Sequence, residues 1–190
     1  GDVSGNVRLT KGTIQVQGAN GVGVSLTGDI GGALVIQNTV QTTGYRFTTP
    51  PSDTSKLDSD DLLQGGSAVV IGGSVAGGIL FDARPADKDT NDADEDDDGV
   101  PDAEESTATI VALGAAPAVV IGSSSEDTTI GAVAGSGGNG IVIKGSILGS
   151  GVYSGVSGTG LVIGGQGHSV NVAGGMAISG SVTGRANGGD

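Results

Sequence analysis

The sequence predicts an all-β protein, a right-handed parallel β-helix with two acidic loops inserted into it. Three observations carry that expectation. Short aliphatic runs bounded by glycine recur along the chain, helical patterning is absent, and the net charge is confined to two segments.

The aliphatic runs are GGALVIQN (31–38), GSAVVIGG (66–73), APAVVIGS (116–123), GNGIVIKG (138–145) and GTGLVIGG (158–165). Each has a small residue, a short aliphatic core and a polar or glycine break. Their central isoleucines are Ile36, Ile71, Ile121, Ile143 and Ile163. The last two intervals are 22 and 20 residues, and the first two, 35 and 50, exceed these by roughly the length of the acidic segments. With those segments set aside, one period of 20–22 residues explains all five runs. Between them TIQVQG, VGVSLTG, HSVNVAG and MAISGSVTG alternate with period two, the pattern of strands with one buried face. Glycine interrupts the runs where turns are needed. About three short strands per repeat predict coils stacked at about 4.8 Å, with aliphatic ladders inside. A leucine-rich repeat is the structural alternative, but its asparagine ladder and LxxLxL spacing do not appear. A β-sandwich is weaker still, since it need not repeat in sequence.

Composition agrees. A chain of 190 residues suits one domain. It has 39 glycines, two Tyr, two Phe, no Trp and no Cys, so the core must be built from Val, Ile, Leu and Ala. Glycine shows no collagen period. No stretch approaches the roughly 18 apolar residues of a membrane span, so this segment is not expected to insert into a membrane. No basic-plus-apolar leader is visible, and any secretion signal is expected to lie outside this stretch. Absence of cysteine excludes a disulfide scaffold and is compatible with any compartment.

The net charge is −13. Residues 82–105 hold twelve acids with Arg84 and Lys88, and residues 53–61 hold four acids with Lys56. The rest holds five acids and five bases and sums to zero. Prolines border or interrupt both acidic segments: Pro50 and Pro51 at the first, Pro85 and Pro101 in the second. Two insertions, at about 48–65 and 82–107, on a neutral scaffold are therefore expected. Nucleic acid is excluded as a partner, because no basic patch is present to neutralise phosphates.

The second insertion carries the chemistry. DADEDDDGVPDAEE, Asp92 to Glu105, places acids at positions 1, 3, 5, 9 and 12 counted from Asp94, with Gly99 at position 6. That is the ligand spacing of a twelve-residue calcium loop. Calcium takes six to eight oxygens at about 2.3–2.6 Å. Asp94, Asp96 and Asp98 point inward from alternate positions, and Gly99 permits the sharp turn. Val100 offers its carbonyl, Asp102 acts directly or through water, and Glu105 closes the shell as a bidentate ligand. Ca2+ is thus the expected cofactor. Magnesium fits less well, because it prefers waters and few carboxylates. The opposing reading is a solvated acidic run held open by its own repulsion. Acidity alone would not place a glycine and spaced apolar residues in this register.

Asp94, Asp96, Asp98, Gly99 and Asp102 resemble the DxDxDGxxD calcium repeats of thrombospondin type 3 modules, dockerins and many bacterial surface proteins, over about fourteen residues. EF-hand flanking helices are missing: prolines interrupt the region, and TATIVAL after it reads as a strand. The resemblance therefore implies the loop geometry but not calcium sensing by an opening helix pair. The glycine-rich scaffold, as in GTGLVIGGQGHSVNVAGGMAISGSVTGRA, resembles the passenger region of bacterial autotransporters. GGSAVVIGG, the calcium-type insertion and SGVYSGV are similar to large passengers of α-proteobacterial surface proteins. That resemblance implies a fragment of a secreted cell-surface protein, with signal peptide and translocator barrel elsewhere.

Other candidates carry less. SDTSKLDSDD at 52–61 has Asp53, Asp58, Asp60 and Asp61 but lacks the calcium register. It reads as a corner loop packed beside the other insertion, with a shared calcium site as the alternative. Enzymatic β-helices need clustered acids, or Arg and Lys with calcium, on one face of successive coils. The acids outside the insertions are Asp2, Asp29, Glu126, Asp127 and Asp190, and none recurs at the expected period. His168 reads as a surface residue, Glu126 and Asp127 as a solvated turn, and the GSG around Ser150 as a chance string. Tyr45, Phe47 and Tyr153 read as core-edge caps.

The expected function is therefore non-enzymatic: a surface-exposed stalk or passenger segment of an autotransporter-like adhesin with one calcium-stabilised loop. The alternative is a self-assembling subunit of an extracellular filament or surface layer, and a polysaccharide-active β-helix ranks third. Expected partners are neighbouring coils or copies of the chain end to end, with an unnamed host or surface ligand. The expected location is extracellular.

Overall fold

The structure is a computed structural model that describes residues 1–44, 48–49 and 52–187. Among the described residues it is all-β, with two single 3-10 turns, Thr54–Lys56 and Asp102–Glu104. Among the described residues no helix is long and apolar enough to cross a membrane.

The strands fall into circuits. The first holds β1 (Val7–Leu9), β2 (Thr13–Gln17) and β3 (Val24–Leu26). The second holds β4 (Leu34–Ile36), β5 (Thr39–Thr43) and β6 (Val69–Ile71). The third holds β7 (Ile79–Phe81), β8 (Thr109–Leu113), β9 (Val119–Ile121) and β10 (Thr128–Ile130). The fourth holds β11 (Ile141–Ile143), β12 (Ser146–Ser150), β13 (Val156–Ser157), β14 (Leu161–Ile163) and β15 (Val170–Val172). β16 (Met176–Ile178) and β17 (Ser181–Asn187) close the series.

Each strand pairs in parallel with its counterpart in the next circuit. The first sheet runs β1-β4-β7-β11-β16 and the third β3-β6-β9-β14. The second runs β2-β5-β8-β12-β17, with β13 antiparallel against the end of β17. A fourth row joins Val3, Ile30, Val75 and Ile130 by single parallel bridges and continues as β10-β15. The chain visits these four in a fixed order and returns to each.

This corrects the spacing of 20–22 residues and the three-strand unit. Val7 stacks on Leu34 and Thr13 on Thr39, so the shortest circuit takes 26–27 residues and has four segments. The five similar runs do not occupy one place in the circuit. Ile36 and Ile143 belong to the first sheet, in line with Phe81. Ile71, Ile121 and Ile163 belong to the third. Strands of both sheets put their outer residues inward and the middle one outward, so they need the same local sequence.

The interior is a set of ladders. Leu34, Ile79 and Ile141 stack in the first sheet, Val40, Ile110 and Ile147 in the second, Val69 and Val119 in the third, and Ile30, Val75 and Ile130 in the fourth, all buried. Phe81, flanked by Ile36 and Ile143, is the one aromatic ring among the buried hydrophobic residues described. Close stacking forces glycine at corners: a Cβ on Gly131 would lie 1.8 Å from the Ala76 carbonyl oxygen.

Asp2 and Asp29 do recur, at the true circuit length. The Asp29 N–H donates to Asp2 Oδ1 at 3.1 Å and the Ser74 N–H to Asp29 Oδ1 at 2.7 Å. They form a ladder of corner caps that a period of 20–22 residues does not align.

The two long acidic connections leave from different corners. One joins β5 to β6, between the second and third sheets; the other joins β7 to β8, between the first and second. The first is fixed to its own corner: the Tyr153 hydroxyl donates to the Asp61 carbonyl, and the Ala115 N–H to Gln64 Oε1 at 3.2 Å. Tyr45 and Phe47 lie outside the described residues.

Candidate metal centre

The connection between β7 and β8 is exposed along much of its length, but its end is tied back to the body of the protein. It folds back over the first sheet towards the first circuit. The Ser106 N–H donates to the Thr10 carbonyl at 2.9 Å, the Ser106 hydroxyl to the Gln37 carbonyl, and Lys11 Nζ to the Ala103 carbonyl at 2.5 Å. The Ala108 N–H then donates to the Asp82 carbonyl at 2.8 Å, which restores the strand path.

Within this fold the aspartates converge. One carboxylate oxygen from each of Asp94, Asp96 and Asp98 lies within 4.8 Å of the others. Main-chain donors curl the segment around the first of them. The Asp98 N–H donates to Asp94 Oδ1 at 3.2 Å and the Gly99 N–H to Asp94 Oδ2 at 3.0 Å. The Val100 N–H donates to Asp98 Oδ1 at 2.8 Å. Gly99 has φ +86°, the left-handed turn expected of it, and Asp97 joins it at φ 53°. A triplet of hard, negatively charged oxygens in a curled loop can hold a metal ion.

The remaining expected ligands are placed differently. Asp102 is 7% exposed and uses Oδ1 to accept the Glu95 N–H at 3.2 Å, so it braces the loop from behind. Glu105 is 2% exposed. Its Oε1 accepts Gln37 Nε2 at 2.6 Å, while its Oε2 is buried with no partner. Gln37 Oε1, in the same pair, is also buried and unpartnered. Val100 is half-buried at the turn.

Charge crowding marks the site. Burial first, then the charges of Asp98, Asp82 and Asp94, pushes the Asp96 carboxyl above its ordinary range. Burial pushes Glu105 up as well, partly offset by its hydrogen bond to Gln37, with Asp96, Asp98 and Asp102 adding to the rise. These groups sense one another's charge.

Three contributors come from distant sequence. Arg8 Nη1 donates to Asp98 Oδ2 at 2.6 Å, across ninety positions. Lys144 Nζ pairs with the buried Asp82 Oδ1 at 2.8 Å. Gln37 holds Glu105. None has a local signal, because stacking circuits brings them together. With the loop, Arg8 and Lys144 bound a cleft of about 460 Å3. Its lining sets Arg8, Lys144, Asp82, Asp96 and Asp98 over the aliphatic Val35 and Leu80. The floor follows from register: Arg8, Val35 and Leu80 are paired middle residues of β1, β4 and β7, and middle residues face outward.

The other candidates stay apart. His168 is exposed, with Nδ1 3.5 Å from Asp127 Oδ1, a carboxylate from the neighbouring circuit that its local sequence does not announce. Glu126 and Asp127 are exposed. Asp53, Asp58, Asp60 and Asp61 belong to the other corner, and the Asp94–Asp96–Asp98 group is the one carboxylate triplet of metal-holding geometry among the described residues.

The chain matches no protein-family profile, no curated protein and no solved structure.

Proposed function

We propose that the chain is a right-handed parallel β-helix that serves as a rigid, non-enzymatic segment of a bacterial cell-surface protein of autotransporter-passenger type, with Ca2+ held in its acidic loop. The parallel pairing of strands between successive circuits, and the aliphatic ladders they stack, support the β-helix. Right-handed crossovers are the rule for parallel strands.

The observation that carries the calcium reading is the convergence of Asp94, Asp96 and Asp98 beside a buried Glu105 whose Oε2 has no partner. A buried, unsatisfied carboxylate oxygen costs about 1–3 kcal/mol or more. Glu105 lies outside the 4.8 Å group, so a cation at the triplet removes that cost only as the Glu105 side chain turns onto it. Calcium suits the set better than magnesium, because it accepts many carboxylate oxygens in irregular geometry. The Val100 carbonyl and waters complete the oxygen set in this reading, with Asp102 bracing the loop through the Glu95 N–H. The mechanical consequence follows from the docking: the loop is rooted between β7 and β8 yet bonded to Arg8, Thr10, Lys11 and Gln37. An ion that orders it would fasten the third circuit to the first two. Extracellular calcium is abundant enough for a weak, exposed site of about 10⁻⁴–10⁻³ M affinity.

Melting the protein in millimolar calcium and in chelator, beside the Asp94→Ala/Asp96→Ala double variant, tests this. A calcium-raised Tm that the variant lacks is expected. Equal Tm values in both media would remove the reading.

A second reading has its own support. Ile163, Met176, Ile178 and Val182, in the last strands, are 39, 42, 49 and 36% exposed, against complete burial of Ile121, Ile141, Ile143 and Ile147 one circuit earlier. Open sheet edges with apolar side chains favour stacking on further coils, of this protein or of another copy. Sedimentation across a concentration series separates a monomer from an end-to-end assembly.

A further inference from the structure

We infer that the two acidic insertions are crossed straps that lock the first four circuits into one opening unit and leave the last strands, β16 and β17, to open alone. The inference takes its stacked circuits from the β-helix reading above, goes beyond it, and needs no metal.

A stack of coils has contacts only between neighbours. Its end coils can therefore peel away one at a time, each giving up a single interface. Burial alone makes the two ends of this stack equivalent. β1 and β2 hold no buried side chain, and neither do β16 and β17. Val3 is 42% exposed at one end and Met176 42% at the other.

Bonds from the insertions remove that symmetry. The connection between β7 and β8 is rooted in the third circuit and reaches past the second to the first. Arg8 Nη1 donates to Asp98 Oδ2 at 2.6 Å, Lys11 Nζ to the Ala103 carbonyl at 2.5 Å, and the Ser106 N–H to the Thr10 carbonyl at 2.9 Å. The first circuit cannot leave the stack until a loop of the third lets go of it.

The connection between β5 and β6 does the converse. It is rooted in the second circuit and reaches past the third to the fourth, where the Tyr153 hydroxyl, between β12 and β13, donates to the Asp61 carbonyl. Asp61 is 8% exposed, so water competes little for that bond. Gln64 ties the circuits on either side: its carbonyl accepts the Asn20 N–H at 2.9 Å and its Oε1 the Ala115 N–H at 3.2 Å. One strap thus spans circuits one to three and the other two to four, from different corners, and they overlap at the interface of the second and third. Among the described residues no hydrogen bond joins either insertion to β16 or β17. The end that burial leaves equal to the first is the end without a strap.

Hydrogen exchange of the intact chain in chelator, read by mass spectrometry as protection factors, tests the inference. Peptides of β1–β2 should be protected to within about tenfold of β8–β9, and β16–β17 at least about a hundredfold less. Arg8→Gln/Lys11→Met should lower β1–β2 protection at least about tenfold, the loss of charge-assisted hydrogen bonds, and β8–β9 protection by less. Tyr153→Phe, a milder change, should lower β12–β14 protection about fivefold, the loss of one neutral hydrogen bond, and β1–β2 protection by less. Wild-type β1–β2 as weakly protected as β16–β17 would overturn the straps. So would variants that leave their own circuit unchanged, or that lower every region equally. Protection that follows no strand pattern anywhere would overturn the β-helix reading and this inference with it, and the wild-type map alone identifies that case. Chelator keeps the outcome independent of the calcium reading.

Discussion

Replacing Glu105 with Gln separates a metal ligand from a merely buried acid. Glu105 is 2% exposed, with Oε1 bonded to Gln37 Nε2 at 2.6 Å and Oε2 without a partner. Gln37 Oε1 beside it is also unpartnered. An amide at position 105 removes a buried charge and brings an N–H donor to a pair that holds only surplus acceptors. Relief of one buried unsatisfied group is worth about 1–3 kcal/mol. For a chain of this size each kcal/mol moves Tm by about 2–4 °C. Glu105→Gln should therefore raise Tm in chelator at pH 7.5 by about 2 °C or more. In calcium the order should reverse. Wild type gains about 2.7 kcal/mol at a hundredfold excess over Kd, while the variant, with a weaker oxygen ligand, gains less. Paired melts in chelator and in calcium measure both arms. A variant destabilised in chelator, or one with the full wild-type calcium shift, would refute the placement of Glu105 at the site.

Further outcomes follow from the same structure. Ile71→Ala, at a fully buried ladder position, should cost about 2–5 kcal/mol, and Ile163→Ala, 39% exposed one circuit on, well under half of that; denaturant unfolding compares them. The acids give a pH signature in chelator. Asp96 and Glu105 have folded-state pKa values raised above their unfolded ones, so the stability linked to them is present below about pH 4 and is lost as pH rises through the folded values. Their contribution to Tm should therefore fall with rising pH in chelator, and calcium should cancel that fall. Asp94→Ala/Asp96→Ala should flatten the chelator profile, and a profile as steep as wild type would assign the slope elsewhere. Lys144→Met leaves Asp82, 5% exposed, with only the Ala83 N–H at 2.9 Å; the half-exposed partner limits the cost to about 1–2 kcal/mol, read by the same unfolding curves.

The strands were legible because their requirements are local. LVI, VVI and IVI declare a buried–outward–buried triplet wherever they occur, and nearly every such run is a strand. Their assignment to one repeat failed for the same reason. Leu34–Ile36 in the first sheet and Val69–Ile71 in the third meet identical local demands, so sequence similarity cannot tell which sheet a run joins. The circuit length, 26–27 residues in the first turn and 35 or more in the last, shows only in register, and Asp2 above Asp29 is its sign in the first turn. At the loop, spacing alone placed Asp94, Asp96 and Asp98 together and Gly99 at the turn. It could not show that Asp102 turns back to Glu95, or that Glu105 is buried against Gln37. Arg8 and Lys144 were out of reach, because their nearness to the loop is created by stacking.

The most direct measurement is a calcium titration by calorimetry of the wild-type chain beside Asp94→Ala/Asp96→Ala. The account predicts saturable binding near one ion per chain, lost in the double variant. No heat of binding up to several millimolar calcium, or binding that the variant retains, would contradict it and return Asp92–Glu105 to a solvated acidic loop.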